Sequence, residues 1–84
     1  MNNQQRQELK QIRDDLVACL VNAGARLDEM RQDEETKFES LTEGLQAAPM
    51  GEQLECAAEA LQNCQISIEE FKEEFTSEIE EALA

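Results

Sequence analysis

The sequence predicts an all-α protein, a long antiparallel two-helix hairpin of coiled-coil character that completes a four-helix bundle by dimerising. Three observations predict it. Strong helix formers fill the 84 residues, with one proline, Pro49, three glycines, no aromatic but Phe and no alternating β-branched run. Apolar residues recur three and four apart through two long stretches that flank the only cluster holding Gly and Pro together. The third is Leu16 to Ala25, ten residues without a charge.

The chain is a single domain, residues 1–84, near the size at which a solitary core is marginally stable. After a frayed start, a first helix is expected over about residues 4–40. Its apolar positions are Leu9, Ile12, Leu16, Cys19 or Leu20, Ala23, Leu27, Met30 and Phe38. Arg26 stands where the strict repeat calls for an apolar residue and Leu27 takes over, which is a stutter in the seam. Gly24 costs about 1 kcal/mol against Ala inside a helix, so a bulky neighbour or a close backbone approach is expected there.

Within this helix, apolar side chains at Leu16, Val17, Cys19, Leu20, Val21 and Ala23 wrap most of the way round at about 100° per residue. One partner helix covers only a stripe of that. Leu16, Val17, Leu20, Val21 and Gly24 are therefore the candidate interface for a second copy or a protein partner, with a symmetric dimer as the commonest solution.

Residues 41–50 form the connection. Ser40 or Thr42 is placed to cap a short helical turn carrying Leu41 and Leu45 inward, ended by Gly44 or by the residues before Pro49. Pro49 forces Ala48 out of the α region and suits the first turn of a new helix. That second helix is expected over about residues 51–82, its seam running Leu54, Ala57, Leu61, Cys64, Ile68, Phe71, Phe75, Ile79 and Ala82 or Leu83, with Ile66 off the seam. If the chain folds back near Ala47, facing residue numbers sum to roughly 95 by antiparallel counting. Phe71 and Phe75 then face Leu20, Ala23 and Gly24, Phe38 faces Ala57, Arg26 nears Glu69 and Glu70, and Arg13 nears Glu80 and Glu81.

The net charge of −13 is unevenly placed. Residues 1–37 are net −2, whereas residues 38–84 hold Lys72 alone against twelve acids. The second half repels nucleic acid and anionic membrane, and a basic protein partner fits it better. Glu55, Glu59, Glu70, Glu73, Glu74, Glu78 and Glu81, with Glu69 and Glu80, make a negative surface. It reads first as a solvated, solubilising face, and second as an imitation of a nucleic-acid backbone that occupies a basic groove. Arg6, Lys10 and Arg13 share a face of the first helix, a weak anion site that a nucleotide signal would need an oligomer to complete.

No catalytic residues are expected, since His, Trp and Tyr are absent and a long hairpin offers little concavity. No cofactor and no metal are expected either. The adjacent acids lack the Glu-x-x-His of di-iron bundles and the Gly-centred spacing of Ca²⁺ loops, and Cys19, Cys56 and Cys64 without His do not make a zinc site. Those thiols read as small buried hydrophobes in a reducing cytoplasm, because no signal peptide or membrane-spanning run is recognised.

The segment Arg31-Gln-Asp-Glu-Glu-Thr-Lys-Phe-Glu-Ser-Leu-Thr-Glu-Gly-Leu-Gln, followed by Gly51-Glu and an Ala/Glu-rich helix, resembles a pattern of small acidic proteins of phages and prophages. The likeness covers Arg31 to about Leu61, with Thr42 where the pattern has Pro and Ser40 where it has Asn. It implies that Phe38, Leu41 and Leu45 plug the closed end of the hairpin while Glu39 and Glu43 stay wet. Those proteins carry no assigned activity, so the likeness implies a mobile-element origin in the cytoplasm of a bacterial host rather than a function, and the habit of small phage proteins of binding host proteins favours a non-enzymatic inhibitor or adaptor.

Overall fold

Local signals at each end set the helices of the computed structural model, which describes all 84 residues. Helix α1 spans Asn3–Glu39, and Asn2 caps it reciprocally: Asn2 Oδ1 accepts from the Gln5 amide at 2.8 Å while Gln5 Oε1 accepts from the Asn2 amide at 3.1 Å. Two otherwise orphaned donors are satisfied by this exchange. At the far end the Ser40 hydroxyl donates back to the Thr36 carbonyl at 2.8 Å.

The reversal contains one further turn, α2, Glu43–Gln46, with Thr42 in the N-cap position but no side-chain cap bond. Gly44 lies inside α2 with ordinary backbone angles, so it does not end the turn. The Gln46 amide instead ties the corner together, donating to the carbonyls of Phe38 at 3.2 Å and Leu41 at 3.3 Å. Ala48 is extended, as the residue before a proline must be, and Pro49 opens helix α3, Pro49–Leu83. The long helices pack antiparallel in a rod of 64 × 16 × 12 Å.

The seams between them differ from the expected ones by a rotation of each helix. On α1 the positions turned toward α3 are Arg13, Val17, Leu20, Gly24, Leu27, Arg31, Glu34 and Phe38, all half-buried and strictly three or four apart. On α3 they are Gly51, Leu54, Ala58, Leu61, Gln65, Ile68, Lys72, Phe75 and Ile79. Ile12, Cys19 and Met30 of the expected first seam are exposed, and so are Cys64 and Phe71 of the second. No stutter is needed, because Leu20, Gly24 and Leu27 continue the repeat directly into Arg31.

The polar residues in the seam explain how it closes. The Arg31 guanidinium donates to Gln65 Oε1 at 3.1 Å, and the Gln65 amide donates to Asp28 Oδ1 at 3.1 Å, linking the helices. Arg31 also pairs with Asp28 and Glu35 at 2.7 Å each. A long aliphatic stem covers apolar surface while the fork keeps its partners, so Arg substitutes for a core residue here. Near the open end, Arg6 donates to the Leu83 carbonyl.

The register agrees with antiparallel counting: Asp28 meets Gln65, and Phe38 shares a groove with Ala58 rather than Ala57. The expected ion pairs across the seam do not form. Arg13 pairs with its neighbour Asp14 at 3.0 Å, although Glu80 lines the same groove, and Arg26 makes no ion pair. Each of the five ion pairs joins residues of the same helix, four in α1 and one in α3, with the partners at most four residues apart and costing little to order.

Candidate interaction surfaces

A pair of helices has two broad sides, and the side chains that flank the seam give this pair sides of opposite character. On one side, the line of α1 residues next to the seam runs Asp14, Val21, Asp28, Glu35, one every seven. The facing edge of α3 carries Glu55, Glu59, Gln62, Glu69, Glu73 and Glu80 together with the exposed Ile66, which lies off the seam as expected, and shallow grooves between the helices join the two edges. The largest, about 680 Å³, is lined by Arg13, Asp14, Val17, Lys72, Glu73, Thr76 and Glu80 among others. This is the acidic side.

On the other side, α1 presents Leu9, Ile12, Leu16, Cys19, Ala23 and Met30, with Arg26 as the one charge among them. The neighbouring edge of α3 is Met50, Ala57, Ala60, Cys64, Ser67 and Phe71, continued by Glu74, Glu78 and Glu81. Grooves lined by Leu27 with Ala60, Cys64 and Ser67, and by Ala23, Arg26, Leu27 and Met30, place these edges on the same side. Phe71 is 49% exposed there, its ring stacked on Phe75 at 5.9 Å.

The candidate residues divide accordingly. Val17, Leu20 and Gly24 lie in the hairpin seam, with Leu16 half-buried at its apolar edge. Val21, at 55% exposure, stands on the acidic side between Asp14 and Asp28. The candidate acidic face is likewise split: Glu55, Glu59, Glu70 and Glu73 line the acidic grooves, whereas Glu74, Glu78 and Glu81 follow Cys64, Ser67 and Phe71 along the opposite edge. All seven are exposed. Leu45, expected to plug the closed end, is also exposed, and Gln46 takes that place beside Phe38 and Leu41.

All three thiols are exposed rather than buried, since each lies outside the seam: Cys19 and Cys64 on the apolar side, Cys56 on the outermost line of α3. No three Cys, Asp or Glu side chains converge to metal-binding distance. Arg6, Lys10 and Arg13 do not converge on an outer face either, because all three are half-buried along the hairpin seam and Arg6 and Arg13 are engaged within the chain. Asp28 sits in the cross-helix link. Its hydrogen bonds from Arg31 and then Gln65 hold it below the usual carboxylate value, and the same pairing with Asp28 and Glu35 raises Arg31.

Arg13, Arg31 and Glu34 on α1 and Gln65 and Lys72 on α3 are seam residues that apolar spacing alone passes over. The signal that finds Gln65 and Lys72 is the uninterrupted three-four alternation from Gly51 to Ile79, in which each fills the one missing place. No helix is long and apolar enough to cross a membrane. No family model matches the chain, and neither does any curated protein or solved structure.

Proposed function

We propose that this hairpin is a non-enzymatic protein-binding module that works as an assembly of its own chains, an inhibitor or adaptor of the phage type acting on a host protein. One observation carries the reading: the hairpin encloses almost nothing by itself. Ala58 and Ile79 are its only buried apolar residues, while Ile12, Met30, Met50 and Phe71 are about half exposed. Its accessible surface is 6181 Å², against about 5,000 Å² for a compact chain of this mass. Its radius of gyration is 18.9 Å, against about 12 Å for a compact chain. A chain of this size without disulfide or metal gains its remaining stability by burying surface on another molecule.

The assembly covers the apolar side and leaves the acidic side outward for a basic partner. Light scattering at several concentrations is the test, with a mass of twice 9.5 kDa expected. A mass of 9.5 kDa throughout would sink self-association and leave the apolar side as the docking face for the host protein.

The second reading, a nucleic-acid mimic, draws support from Glu55, Glu59, Glu70 and Glu73, which line one side for about 27 Å at 1.5 Å per residue. It predicts that the chain displaces DNA from a basic DNA-binding protein, with loss of displacement when these four become Gln. Displacement unchanged in that variant removes the mimic reading.

A further inference from the structure

The apolar side has a shape that identifies its occupant. Leu9, Ile12, Leu16, Cys19, Ala23 and Met30 form a second three-four repeat on α1, distinct from the one that packs on α3. It is about 32 Å long at 1.5 Å per residue. Its midpoint falls between Cys19 and Leu20, within two residues of the helix midpoint at Val21. When a second copy is laid across it in the opposite direction about that midpoint, Leu9, Leu16, Ala23 and Met30 map onto one another, while Ile12 falls at the level of Leu27 and Cys19 at that of Leu20.

We infer that α1 of a second copy occupies this seam, antiparallel, in a two-fold contact whose axis passes beside Cys19. The inference rests on the self-association proposed above and names its surface and symmetry. Residue numbers facing each other then sum to about 39 by antiparallel counting. Leu16 meets Ala23 of the second copy and Leu9 meets Met30, so large faces small at the inner layers, as a packed seam requires. Charge selects the direction. In a parallel pair Arg26, the seam's one charge, faces its own copy, whereas in the antiparallel pair it lies at the level of Ile12 and the exposed Asp15 of the second copy.

The whole chain exposes about 1,100 Å² more than a compact protein of its mass, and a stable interface takes about 800 Å² from each partner. The rival occupant is a host protein, and the same experiment distinguishes it. In a chain with Cys56→Ser and Cys64→Ser, Cys19 is the one thiol, and a short bis-maleimide is expected to join two copies through it, since packed helix axes lie 8–10 Å apart. A chain retaining Cys56 alone is expected to stay unlinked. In a cysteine-free background Leu9→Cys is expected to link to Met30→Cys but not to itself.

Ile12→Glu is expected to halve the mass while circular dichroism stays helical, and Val21→Glu is expected to leave the dimer intact. A dimer that survives Ile12→Glu, with no linkage through Cys19, overturns the α1 contact and keeps the assembly. A wild-type monomer overturns both.

Discussion

At the residue scale, Gly51 and Gly24 show how differently one residue type is used. A Cβ on Gly51 would lie 2.3 Å from the Gln46 carbonyl oxygen and 2.6 Å from that of Leu45, both backbone atoms that cannot swing aside. Gly51→Ala is therefore expected to destabilise by about 1–3 kcal/mol, read as a lower urea midpoint at unchanged slope. A Cβ on Gly24 meets nothing within 4 Å, so the close approach expected there is absent. Gly24→Ala is expected to stabilise by about 1 kcal/mol through helix propensity, seen as a higher Tm.

Asp28 is the residue whose protonation reports on the seam. Its folded pKa lies below the unfolded value of 3.8, so its contribution is complete above about pH 4 and is lost as pH falls through the folded value. Asp28→Asn is expected to lack that part of the acid dependence. Urea midpoints measured from pH 6 to 3 should show wild type and variant converging below pH 4, and a constant gap would remove Asp28 from the cross-helix link.

At the scale of the element, α3 was legible to within a residue or two because capping and proline chemistry are local. The face it buries was less so. Expected seam residues Leu54, Leu61, Ile68, Phe75 and Ile79 are where they should be, but Cys64 and Phe71 gave way to Gln65 and Lys72. A hydrophobic pattern scores Gln and Lys as breaks, while the helix accepts them wherever a stem packs and a head finds a partner. Gln65 bonds Arg31 and Asp28, and the Lys72 ammonium reaches Glu69 at 3.0 Å. Ile79 has no such alternative. It is 7% exposed, and Ile79→Ala is expected to cost about 2–3 kcal/mol, the low end for a core truncation, read from the same urea titration.

At the scale of the whole molecule, charge opposes the packing that apolar area favours. Thirteen net negative charges sit on a rod 16 × 12 Å in cross-section, and two copies side by side double that field. Screening should therefore tighten the proposed assembly: raising NaCl from about 10 mM, where charges act over about 30 Å, to about 150 mM is expected to raise the Tm. A Tm that falls with salt would mean that ion pairs between copies outweigh the repulsion.

Composition, spacing and the Pro49 corner by themselves determined an all-helical chain that doubles back once, because helix propensity, capping and the proline restriction act within a few residues. Which stripe of α1 meets α3 was decided only by the tertiary structure. The helix carries two overlapping three-four repeats, Ile12–Cys19–Met30 and Val17–Gly24–Arg31, and periodicity weighs them by hydrophobicity alone. The choice fell to the more polar one, where Arg31 finds Gln65 across the seam and Phe38 finds room beside Ala58, pairings between residues twenty or more positions apart that no local pattern contains.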